Sequence, residues 1–264
     1  FKYLIITQCN ALSNVLPGMF QKIADYTELL FPDNLLREGS VVERMITDIP
    51  EKDWNVEEGG QIEIIGWLYQ YYMSEKHEKV VNAIGKKTVE KEDIPAATEL
   101  FTPDWVVRYI IDNSVGRYWI ERNSNSNLKN VLEYFVAPKD GNISIVNEKI
   151  TPEQLTVFDP CMGSAHFGVY AFDVLEKIYT EYGYTEREAA ALIVQNNLFG
   201  LDIDERAAQL ASFAITMKAI QYDKRFLKRG IQPHFYEIKE SNHVDPFTVD
   251  YFANGNASLK RDIQ

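Results

Sequence analysis

The chain has 264 residues, of which 45% are hydrophobic and 25% charged, the proportions of a folded globular protein. They exclude a disordered tail, a collagen-like repeat or a coiled-coil rod. The length fits one large domain or two smaller ones. Twenty-seven basic against thirty-nine acidic side chains leave a net charge of −12, which excludes a broadly basic face for displacing counterions from phosphates. A local groove can still differ from the average.

No stretch approaches the ~20 apolar residues of a membrane-spanning helix, so no membrane partner is expected. The first residue is Phe1, and the sequence reads as a piece of a longer polypeptide. Its opening is too short and too soon polar (Gln8, Asn10) for a signal peptide. Cys9 and Cys161 are too few for a disulfide scaffold, so a reducing, cytoplasmic setting is expected. His77, His166, His234 and His243 show no zinc-ligand spacing with them, and no metal is expected.

In chain order, Leu16, Phe20, Ile23, Tyr26 and Leu30 recur at helical spacing. Val41 to Ile46 predicts a second helix. Residues 62–84 predict a third, with Ile65, Leu68, Tyr69 and Tyr72 on its apolar face and Gly85 as its cap. The cluster Trp67, Tyr69, Tyr71 and Tyr72 could stack bases, but packing between helices is the favoured reading. Lys86 to Asp93 is a charged linker. Thr102-Pro103-Asp104 opens a helix with threonine as cap, whose stripe is Val106, Val107, Ile110, Ile111 and Val115. Asn123 to Asn127 is surface loop, and residues 143–150 predict a hairpin.

From Leu155 the rhythm changes to strand, glycine turn, helix. A strand ends at Asp159, and a helix runs from Ser164 to Tyr182, burying Val169, Phe172, Leu175 and Ile178. Thr185 and Glu188 form a capping box. A second strand closes on Asp202, a helix spans 205–222, and a third strand covers 234–238. Such alternation predicts a parallel α/β sheet.

The turn Asp159-Pro160-Cys161-Met162-Gly163-Ser164-Ala165 is built of small residues and leads into a helix. Small residues admit a ligand close to the backbone, and a helix N-terminus offers unpaired N–H groups. Asp159 can accept from a cationic amine. Asp202 ends the next strand, where nucleotide-binding α/β folds place a carboxylate on ribose hydroxyls, and Ile203 offers an apolar flank. Spacing alone leaves a plain structural turn equally open. The phosphate-gripping G-x-x-x-x-G-K-[ST] loop is absent. Cys161 has no evident activating partner and reads as packing, and His166, at a helix start where a satisfied histidine is common, reads as structural rather than as a general base.

Asp159 to Phe167 resembles motif I of adenine-N6 DNA methyltransferases. Glu99-Leu100-Phe101-Thr102-Pro103 is similar to their motif X, and Asn197 to Asp204 to their motif II. Gln8-Cys9-Asn10, Leu16-Pro17-Gly18-Met19-Phe20 and Ile94-Pro95-Ala96-Ala97-Thr98 resemble the PglX-type methyltransferases of bacterial phage-exclusion (BREX) systems. The resemblance implies a helical region over 1–97, then over 98–264 the first part of a class I, Rossmann-like domain binding S-adenosyl-L-methionine. It implies that Phe101, Thr102 and Pro103 hold the methionine carboxylate and Asp159 faces the ammonium. Pro160 and Gly163 shape the loop, Asp202 takes the ribose hydroxyls, and Ile203 packs on adenine. Ala165 stands where the motif often has glycine. Glu240, Ser241 or Asn242 is the candidate for the adenine amino group.

Enzymes of this family work through an Asn/Asp-Pro-Pro-Tyr/Phe motif that holds the flipped base. The ten prolines here include no adjacent pair, so no catalytic residue is assigned and the chain alone is expected to be inactive. The reading is therefore the cofactor-binding portion of a DNA adenine-N6 methyltransferase of restriction–modification or phage defence. DNA would be met mostly outside this stretch, alongside phage-defence proteins. The alternative is a non-catalytic cofactor-binding or scaffolding module of a phage-defence complex.

Overall fold

The computed structural model describes residues 1–20, 22–23, 34–55, 61–62, 64–83, 88–98, 101–239 and 244–263. Its first half holds α1 (Lys2–Leu12), α2 (Val41–Asp48), α3 (Glu51–Trp54), α4 (Ile64–Ala83), α5 (Ile94–Thr98), α6 (Asp104–Ile111) and α7 (Arg117–Arg122). There follow β1 (Val157–Asp159), α8 (His166–Tyr182), α9 (Glu186–Leu192), β2 (Leu198–Asp202), α10 (Glu205–Tyr222), β3 (His234–Glu237), α11 (Pro246–Ala253) and α12 (Ala257–Ile263).

The architecture is α/β. The three strands form one parallel sheet in the order β1-β2-β3, with Val157 opposite Leu198 and Gly200 opposite Phe235. Helices α8 and α10 pack on the sheet. Their buried stripes, Val169, Phe172, Leu175 and Ile178 on α8 and Ala211, Ile215 and Ala219 on α10, form the main core with Leu198 and Phe235. The expected burial on α8 and the span of α10 are as the spacing predicts. So is the capping box, in which Thr185 Oγ1 accepts from the Glu188 amide at 3.3 Å and the Glu188 carboxylate accepts from the Thr185 amide at 3.0 Å.

The N-terminal segment departs from expectation. Leu16 and Phe20 flank a turn at 17–19 and Ile23 lies in irregular chain, because Pro17 and Gly18 interrupt the helical spacing. Tyr26 and Leu30 lie outside the described residues. The helix there is α1, ahead of the predicted one. Helix α4 matches its predicted span, but buries Gly66, Tyr69 and Met73 rather than Ile65, Leu68 and Tyr72. The partner chooses the face: Tyr69 and Met73 cluster with Ala96 of α5 and Ala207 of α10. Of the aromatic group, Tyr69 packs as expected, whereas Trp67, Tyr71 and Tyr72 are exposed. Gly85 lies outside the described residues. In the linker, Lys91–Asp93 forms a short helical turn leading into α5.

Thr102 does not cap α6. Pro103 is the N-cap residue, at φ −57° and ψ 143°, with no side-chain cap. The residue before a proline is driven to extended backbone, which leaves Thr102 outside the helix. Val107 and Ile111 are buried while Ile110 is exposed. A wide π turn, Asp112–Gly116, joins α6 to α7 and turns the buried face onto Trp119 and Ile120. The 123–127 loop holds one buried exception, Ser126, whose hydroxyl donates to Glu181 at 2.9 Å. The hairpin predicted at 143–150 is not formed: the segment is irregular. Its Val146 amide donates to the Glu121 carbonyl of α7 at 2.8 Å instead of to a neighbouring strand.

Candidate functional site

The loop after β1 is held from two sides. Its Cys161 amide donates to the Asp159 carboxylate at 3.0 Å, and its Met162 amide to the Leu201 carbonyl of β2 at 3.0 Å. Gly200 makes that approach possible, since a Cβ there would lie 2.4 Å from Met162 Sδ and 2.5 Å from the Phe235 ring. Gly163 takes φ +53° and its amide donates to the Asp202 carboxylate at 2.8 Å. Ala165 follows at φ +68° and ψ 35°, so α8 begins at His166 and not at Ser164.

At the end of β2, the other Asp202 oxygen accepts from the Asp204 amide at 2.8 Å. Asp204 in turn caps α10 by accepting from the Arg206 amide at 2.9 Å. Two consecutive strand-to-helix turns are thus clamped by one carboxylate.

Beside these turns lies a cavity of about 530 Å³, within the range of small-molecule sites. Phe101, Thr102, Pro160, Gly163, Asp202 and Ile203 line it. Of the other predicted site residues, Pro103 lines an adjoining 390 Å³ cavity, which shares Phe101, Thr102 and His166 with the first. Asp159 and Ala165 are not among the residues that line either cavity. Asp159 ends β1 half-buried, and burial, aided by the nearby Asp202 charge, pushes its carboxyl above the usual aspartate range against the opposing Cys161 N–H. Ala165 is wholly buried. Glu240, Ser241 and Asn242 lie outside the described residues.

Several lining residues carried no role in the sequence reading. Ile94, Pro95 and Thr98 of α5 close one side, and Ser164, Asp204 and Ile238 contribute to the others. The words around residues 94–98 stood out by resemblance, yet only packing shows that α5 borders the cavity. His166, read as structural, also lines it.

Two features bear on a bound group. Space is open above Gly163, with nothing within 4 Å of where a side chain would start. The Ser164 hydroxyl is buried at 6% exposure and has no hydrogen-bond partner among the described residues, although buried polar groups are normally paired. The open space at Gly163 fits an organic ligand that approaches the backbone, whereas the Ser164 oxygen is turned toward Gly66. Among the described residues no group of three or more His, Cys, Asp or Glu could hold a metal ion, and no helix is long and apolar enough to cross a membrane.

A cavity at the carboxyl ends of parallel strands, beside a glycine turn and a strand-end carboxylate, is where open α/β sheets bind their ligands. The chain belongs to the N-6 DNA Methylase family, whose model matches residues 114–246. It is 44% identical over 248 residues to the adenine-specific methyltransferase BrxX of Escherichia coli O9:H4 (strain HS), covering 91% of this chain and 20% of that protein. It is 43% identical over 251 residues to the adenine-specific methyltransferase PglX of Lacticaseibacillus casei (strain Zhang), covering 90% of this chain and 20% of that protein. The chain spans about a fifth of the length of these relatives.

Proposed function

We propose that this chain is the S-adenosyl-L-methionine-binding part of a DNA adenine-N6 methyltransferase. One observation carries the reading: residues of all three motifs, Thr102, Gly163 and Asp202, border a single cavity in a chain of the N-6 DNA Methylase family. The relatives' names supply the adenine specificity. The parallel sheet with its cavity at the strand ends supports a class I, Rossmann-like domain over 98–264, with residues 1–97 as the helical region before it.

In this reading Asp202 accepts from the ribose hydroxyls and Ile203 flanks the adenine ring. Thr102, with the Phe101 and Pro103 backbone, receives the methionine carboxylate, and the cofactor supplies an electrophilic methyl group. Asp159 contributes negative charge from behind the loop toward the ammonium. In this reading the target base and DNA would be met mostly by segments outside this stretch, alongside phage-defence proteins, in restriction–modification or phage defence.

Calorimetric titration of the chain with S-adenosylmethionine and S-adenosylhomocysteine tests this, and binding of either at one per chain is expected. A folded chain that binds neither overturns it. With labelled cofactor and unmethylated DNA the chain alone is expected to transfer no methyl group. Positioning the reactants is worth ~7–11 kcal/mol, and the Asn-Pro-Pro-Tyr groups that would hold the base are not in this sequence.

A further inference from the structure

Helix α4 lies outside every motif that carries the methyltransferase resemblance, yet it touches both turns of the cavity. Gly66, on its first turn, is buried against the loop after β1. A Cβ at Gly66 would lie 2.6 Å from Ser164 Oγ, 3.1 Å from Ser164 Cβ and 3.6 Å from His166 Cε1. Glycine weakens a helix interior, and its φ here is not positive, so close approach is what glycine provides. One turn further on, the Tyr69 hydroxyl donates to the Asp204 carboxylate, in the turn after β2.

Ser164 is among the residues lining the cavity, and its buried hydroxyl has no hydrogen bond to a described residue. Its orientation is therefore set by packing, and the surface it packs on is Gly66. We propose that Gly66 and Tyr69 are positioning residues of the cofactor site: Gly66 seats Ser164 and the loop after β1, and Tyr69 holds the turn that carries Asp202 and Asp204. Helix α4 thus braces both turns of that site from outside the cavity lining. This rests on the cofactor reading above.

The experiment is a double-mutant cycle on the chain, since contacting residues show coupling that independent ones lack. Wild type, Gly66→Ala, Ser164→Gly and the double variant are titrated with S-adenosylmethionine well below each variant's unfolding temperature, with stoichiometry reporting the folded fraction. Gly66→Ala is expected to weaken affinity about tenfold where Ser164 is present. In the Ser164→Gly background, where the clashing atoms are gone, the same change is expected to cost less than about threefold. A structural role alone would lower the unfolding temperature and leave the affinity of the folded fraction unchanged.

Equal losses in the two backgrounds, or unchanged affinity in Gly66→Ala, overturn the proposal. Tyr69→Phe adds no bulk and keeps the ring, so it serves if Gly66→Ala does not fold. Affinity several-fold weaker than wild type is expected there, and wild-type affinity overturns the proposal. A wild-type chain that binds no cofactor overturns the cofactor reading itself, whereas wild-type binding without coupling overturns only this inference.

Discussion

The Gly163 amide donates to the Asp202 carboxylate at 2.8 Å, joining the loop after β1 to the end of β2. Asp202 was singled out for ribose hydroxyls, but its two oxygens already accept from Gly163 and from Asp204. Each oxygen has a second lone pair to offer, so clamping and ligand binding can coexist.

Asp202→Ala is consequently expected to lower stability as well as affinity. Hydrogen bonds to a charged acceptor are worth ~1.5–3 kcal/mol each, and the variant orphans two backbone amides. Thermal unfolding and calorimetry on the same protein separate the two effects. Unchanged stability would show that the clamp is dispensable, and unchanged affinity would remove Asp202 from the ligand.

Asp159 gives a pH-dependent prediction. Its carboxyl titrates above the usual aspartate range because burial and Asp202 disfavour the charge. A raised carboxyl pKa means the native state holds the proton longer than the unfolded chain does. The associated stability is fully present below the unfolded pKa and is lost as pH rises through the folded one. Asp159→Asn never ionises and still accepts from the Cys161 amide. It is expected to be more stable than wild type above that window and to bind S-adenosylmethionine more weakly. Stability curves from acid to neutral pH that run parallel for the two proteins would count against this.

At Ala165 the local pattern and the structure disagree about a substitution. Read as a helix start, the position predicts that glycine costs ~0.5–1 kcal/mol. Ala165 instead adopts φ +68°, a conformation that costs a non-glycine residue ~1–2 kcal/mol. Relief of that strain opposes the glycine entropy and the loss of a buried methyl, itself about 0.8 kcal/mol. Ala165→Gly is expected to change stability by less than about 1 kcal/mol, with cofactor affinity equal or tighter. A loss of more than about 2 kcal/mol on chemical denaturation would show that the methyl anchors the loop more than its area implies.

Much of the second half of the chain was legible from local pattern. The burial of α8, the Thr185–Glu188 box, the span of α10 and the strand ends at Asp159 and Asp202 follow from helical periodicity, caps and short β-branched or aromatic runs. These signals act between residues a few positions apart. Even there, backbone sterics had the last word at Thr102, where the following proline took the cap, and at Ala165, where the tight turn postponed the helix.

The amino-acid sequence by itself determined the α/β alternation, the glycine turn, the strand-end carboxylate and, through the resemblance, the family. Only the tertiary structure decided which residues share a cavity, which face of α4 is buried, and that Val146 bonds to the backbone of α7 where a hairpin was expected. Those outcomes depend on partners distant in sequence: Gly66 meets Ser164, and Tyr69 meets Asp204, across separations no local period can encode. An amphipathic pattern states that a face will be buried, while the neighbour that arrives there determines which one.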